Sequence, residues 1–153
     1  MAERSSMVLR SAAFAPGKSI PSRFTCDGEG RAPPLAWSDA PRETRSFALV
    51  CRDPDAPTGI WYHWAAFDIP PDAAGLAESE APMREAINDF GRRGYGGPCP
   101  PEGDGRHHYH FKLYALGIDR LDLPAKVGCR EVERQAEARA LATAELIGSY
   151  CRA

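Results

Sequence analysis

Hydrophobic and polar positions alternate or cluster at intervals that predict a chain dominated by short strands. Ser46-Phe47-Ala48-Leu49-Val50-Cys51 is almost continuously apolar, a run whose length and residue types predict a central strand delivering Asp53 at its end. Residues 61 to 69 alternate: Trp61, His63, Ala65, Phe67 and Ile69 fall on one face, so His63 is expected to be partly buried among apolar neighbours. Residues 107 to 116 alternate again, with His107, Tyr109, Phe111 and Leu113 on one face and His108 and His110 on the other. Met7 to Ser11 reads as a further strand. Pro33-Pro34-Leu35-Ala36-Trp37 reads as an extended piece suited to an edge strand or a loop.

Helical spacing is rarer. Val132, Ala136, Ala140, Ala144 and Ile147 recur at three or four residues, which predicts an amphipathic helix over 130–151 with Gly148 near its end. Pro70 to Arg93 loosens into an irregular excursion with a short helix around Met83 to Ile87 and no chemistry assigned to it. The 153 residues fit one domain spanning 1–153 with one core.

Composition narrows the classes. With 19 basic and 21 acidic residues the net charge is −2, and there is no basic stripe of the kind nucleic acid requires. Glu3, Arg4 and Arg10 interrupt the first residues, so neither a signal peptide nor a stable membrane insertion is expected, and the cytoplasm is the default compartment. Five cysteines, at 26, 51, 99, 129 and 151, are odd in number and widely spaced, and are expected to be reduced thiols. Pro16-Gly17-Lys18-Ser19 invites a phosphate-loop reading, but the glycine such a loop needs is Ala12 here and Pro21 follows closely. The segment is read as a turn.

Candidate chemistry collects in two loops. Asp53-Pro54-Asp55-Ala56-Pro57 is followed closely by Trp61-Tyr62-His63-Trp64. An aspartate before proline is driven from helical angles, and Pro57 fixes a further backbone angle, so this loop should be stiff. His63 needs a polar partner, and Asp53 or Asp55 is nearest in sequence; Asp55 is equally suited to capping its own turn. Gly94-Tyr95-Gly96-Gly97-Pro98-Cys99-Pro100-Pro101 forms the second loop, with glycines that admit a ligand close to backbone. Cys99 reads as a small filler with a reactive thiol as the alternative, and Trp37 and Trp64 as core aromatics.

These motifs, in this order, resemble the phosphatidylethanolamine-binding protein family, and Phe24-Thr25-Cys26-Asp27-Gly28 and Pro33-Pro34-Leu35-x-Trp37 resemble its bacterial, Raf-kinase-inhibitor-like branch. The resemblance runs from about Phe14 to the end of the chain. It implies a mainly β fold: a large central antiparallel sheet packed with a smaller sheet, peripheral helices and a C-terminal helix. It also implies an anion pocket lined by Asp53, Trp61, His63, Gly97, Pro100, His107 and Tyr109, with Asp55, Pro54 and Cys99 as a second tier, and a cis peptide bond before Pro54. The sequence departs from the family pattern at Gly30-Arg31-Ala32 and at His108, where an arginine is usual.

The function expected on this basis is non-catalytic binding of a small anionic or phosphorylated ligand, without cofactor or metal. Kinase or other protein regulation and a homodimer are further implications of the resemblance. A metal-dependent hydrolase using the His and Asp cluster, and a protease inhibitor, are the alternatives. With Asp53 orienting His63, anion affinity would rise as pH falls through the histidine range.

Overall fold

The computed structural model describes residues 6–80 and 84–152. Strands β1 (Val8–Arg10), β2 (Leu35–Ser38), β3 (Ser46–Asp53), β4 (Trp61–Ile69), β5 (Gly75–Leu76), β6 (Arg84–Glu85) and β7 (His107–Leu116) precede helix α1 (Cys129–Arg139) and strand β8 (Ala140–Tyr150). A five-stranded sheet has the order β6-β4-β3-β7-β8, and a three-stranded sheet the order β1-β2-β5, all pairings antiparallel. The apolar run 46–51 is the central strand, as its composition predicts.

The large sheet buries both faces. Phe47, Leu49, Cys51, Phe111 and Leu113 meet Leu9, Leu35, Trp37 and Leu76 of the small sheet. Ala48, Val50, Phe67, Tyr114 and Leu116 meet Val132 and Ala136 of α1. Burial on both faces explains why β3 lacks polar alternation.

Three expectations change. The helix ends at Arg139, and the chain continues as β8, paired with β7 from His107↔Tyr150 to Leu116↔Ala140. Ala142, Ala144 and Leu146 are buried at period two, a spacing that the multiples of four in 136, 140 and 144 concealed. Gly148 sits inside β8, where an added Cβ would lie 2.6 Å from both Ile20 and Phe14. No helix forms at 84–87: Arg84 and Glu85 pair with β4 and Ile87 bridges Arg93, while Met83 lies outside the described residues. Leu35–Ser38 is the middle strand of the small sheet, its prolines falling just before the paired residues.

The alternation of β4 is also interrupted. Cys51 pairs with Trp64 but Arg52 pairs with Tyr62, so His63 is an extra residue in the ladder. Such a bulge re-aims side chains. Here it puts His63 and Trp64 on the small-sheet side and sends Ala65 and Phe67 to the helix side; a second irregularity between Phe47 and Leu49 returns Ile69.

Candidate functional site

β3 ends at Asp53, β4 begins at Trp61 and β7 begins at His107. Because these three strands are neighbours, their ends meet at one edge of the sheet, beneath the loop of residues 96–101. Between them lies a cavity of about 220 Å³. Asp53, Trp61, His63, Pro100, His107 and Tyr109 line it, joined by Cys99 of the second tier.

Three anticipated residues, Gly97, Asp55 and Pro54, do not line it. Gly97 packs against the turn below: an added Cβ would fall 2.7 Å from the Phe24 carbonyl oxygen and 3.0 Å from Thr25 Cα. Its absent side chain sets how closely the loop approaches. Asp55 turns away, accepting hydrogen bonds from the His108 backbone N–H and ring Nδ1, each at 2.8 Å. Pro54 is exposed, and its peptide bond is trans, as are all those between described residues. Ala56, Pro57, Thr58 and Pro101 extend the lining. Phe90 closes it from the segment that sequence reading left without a role, meeting Trp61 and His63 edge-on at centroid distances of 5.4 Å.

The expected pairing of Asp53 with His63 is replaced by another. Asp53 Oδ1 accepts the Asp55 N–H at 2.7 Å, and Oδ2 is 2.6 Å from His107 Nδ1. The other ring nitrogen of His107 lies 2.7 Å from Asp104 Oδ2. Burial opposes the charged ring, but hydrogen bonds and Coulombic attraction from Asp53 and Asp104 prevail and raise the His107 pKa. With a carboxylate facing each ring nitrogen, the surroundings of His107 favour the imidazolium.

His63 behaves oppositely. Its Nδ1–H donates to the Gly96 carbonyl at 2.7 Å, which leaves Nε2 as the ring's second polar atom. Burial lowers its pKa despite the Gly96 carbonyl and Asp53. At neutral pH the ring is uncharged and Nε2 is an acceptor. Next to it, edge-on at 5.2 Å, is Tyr109. The Tyr109 side chain is fully buried and its hydroxyl has no hydrogen-bond partner among the described residues. Burial, then Asp53, pushes its pKa up, so the phenol keeps its proton and remains a donor.

The loop opposite is tied down at several points. Gly96 N–H donates to the His63 carbonyl at 2.8 Å, Tyr95 hydroxyl to the Phe24 carbonyl at 2.7 Å, and Cys26 N–H to the Pro98 carbonyl at 3.1 Å. Cys26 and Cys99 form a disulfide across 73 residues. This overturns the expectation of five free thiols; wide spacing in sequence gives no guide to which loops the sheet brings together. Cys51 and Cys129 are buried thiols and Cys151 is exposed. With Cys99 bonded it is no nucleophile, and among the described residues no group of three or more His, Cys, Asp or Glu is placed to hold a metal ion.

Fold and cavity together define a class: a β protein of two antiparallel sheets with a small pocket at the ends of neighbouring strands. The family model described as "Phosphatidylethanolamine-binding protein" matches residues 10–151. The chain is 45% identical to a UPF0098 protein of Methanothermobacter thermautotrophicus, over 95% of this chain and 99% of that one. The crystal structure of a phosphatidylethanolamine-binding protein homologue from Chlamydia trachomatis superposes with a TM-score of 0.89 at 37% identity, covering 97% and 99% of the two chains. E. coli YbcL, described as a member of the mammalian family, gives 0.91 at 31% identity, covering 96% and 99%. This chain belongs to the phosphatidylethanolamine-binding protein family.

Proposed function

We propose that the cavity binds a small ligand through a protonated oxyanion, such as inorganic phosphate or a phosphorylated head group, and does not transform it. The observation that carries this reading is the buried Tyr109 hydroxyl without a partner. A buried polar group left unpaired costs about 1–3 kcal/mol, and a ligand oxygen accepting its proton would remove that cost.

The neighbouring groups complete the chemistry. Neutral His63 offers Nε2 as an acceptor for a ligand O–H, so an oxygen acid that both accepts and donates fits better than a fully ionised anion. The His107 imidazolium supplies positive charge. Trp61, Phe90, Pro57 and Pro100 make much of the lining apolar, which strengthens each polar contact made against it. The pH dependence keeps its expected direction but changes its source. Affinity falls as pH rises through the raised pKa of His107, while His63 stays neutral.

Tyr109→Phe tests the reading. Calorimetric titration with inorganic phosphate at pH 6 should show binding to the unaltered protein and a loss of roughly tenfold or more in the variant, the equivalent of one hydrogen bond to a charged group. Equal affinity in the two proteins would remove Tyr109 from the site and with it the basis of the proposal.

A further inference from the structure

We infer that Asp104 is a built-in competitor for the pocket: its carboxylate occupies the place on His107 Nε2 that a further ligand oxygen would otherwise take. The inference rests on the oxyanion reading above and adds what opposes it.

His107 has two carboxylate partners of different standing. Asp53 is buried, on a strand in the middle of the sheet, and its side chain is 4% exposed. Asp104 is 39% exposed, on a turn outside the sheet. The turn is closed by the Asp104 N–H donating to the Pro101 carbonyl at 3.1 Å. Gly103 and Gly105, on either side of Asp104, have φ of +78° and +85°, and nothing lies within 4 Å of the space a side chain would fill at either. Glycines give such a turn backbone freedom, and what ties it to the rest of the chain is Arg152, whose carbonyl accepts the Gly103 N–H at 3.1 Å. The Asp53 contact is therefore the fixed one and the Asp104 contact the replaceable one.

Charge makes the same point. With His63 neutral, the cluster of Asp53, His107 and Asp104 carries two negative charges and one positive, so this state of the pocket repels an incoming anion. Moving Asp104 out leaves a neutral Asp53–His107 pair and an Nε2–H without a partner. The turn starts from Pro101, which lines the cavity together with Pro100 and His107. The place that Asp104 vacates thus adjoins the cavity. Ligand entry and turn release become one event, and because Glu102 of the same turn reaches Arg152 at 3.6 Å, occupancy changes the adjoining surface.

The experiment is a titration of inorganic phosphate into ¹⁵N-labelled protein at pH 5.5, about one unit below the ordinary histidine value, which favours a charged His107. Asp104→Ala should bind roughly tenfold tighter than the unaltered protein, since it frees a hydrogen bond to a charged group, and Asp104→Asn, which loses the charge but keeps an acceptor oxygen, should bind tighter by a smaller factor. In the unaltered protein, phosphate should shift the amide resonances of Gly103 and Gly105. Binding by the unaltered protein with equal or weaker binding by both variants overturns the competitor role and leaves the oxyanion reading standing. So does saturation without movement of the Gly103 and Gly105 signals. No binding by any of the three overturns the oxyanion reading and this inference together.

Discussion

At the level of single residues, the two histidines of the site have been driven apart by their surroundings. His107 has its pKa raised by two carboxylates, and His63 has its pKa lowered by burial. A group with a raised folded-state pKa contributes stability that is fully present below its unfolded value, about 6.5, and is lost as pH rises through the folded value. His107→Gln should therefore cost more stability at pH 6 than at pH 9, about 2 kcal/mol at the lower pH from hydrogen bonds to charged groups, measured by urea unfolding. The opposite sign applies at His63: the unfolded ring takes up a proton that the folded ring refuses, so its presence lowers stability below about pH 6.5. Tyr109→Phe should leave the melting temperature unchanged or raised, because it removes an unpaired buried hydroxyl, while weakening phosphate binding. That split separates a ligand contact from a packing residue. The family resemblance implied Asp53, Trp61, His63, Pro100, His107 and Tyr109 as one pocket, and these six do line one cavity. What sequence obscured was pairing: His63 lies nearer Asp53 along the chain, but the strand order β4-β3-β7 lets the carboxylate reach His107 from the other side.

At the level of elements, the wall formed by residues 96–101 owes its position to backbone proximity and a disulfide. Gly97→Ala should destabilise the protein by about 1–3 kcal/mol, the range for overpacking, because the new methyl meets backbone that has no rotamer to yield. Thermal unfolding of purified variant checks this. Cys99→Ser should cost roughly 2–5 kcal/mol if the bridge acts as disulfides in small domains do, and thiol counting on the denatured, unreduced protein should find three free cysteines: Cys51, Cys129 and Cys151. Five would contradict the pairing. Sequence periodicity located β3, β4 and β7 but misjudged 140–150, since a stretch with alanine at every second and fourth position satisfies both a helix and a strand. Pairing with β7 decided for the strand.

Across the whole molecule, one sheet buried on both faces carries the pocket where its central strands end, and the small sheet and α1 keep those ends in register. Phe90 shows what no local pattern could supply: it enters the pocket from a loop remote in sequence from Asp53 and His107, and only the path of the chain around β4 brings it there. The central claim is that this cavity seats a protonated oxyanion between Tyr109 and His63. A crystal structure of the protein saturated with phosphate at pH 6 tests it most directly. It should show a phosphate oxygen within hydrogen-bonding reach, about 3 Å, of the Tyr109 hydroxyl and another facing His63 Nε2; a cavity holding only water at saturating phosphate, with the ligand bound elsewhere or nowhere, would contradict the account.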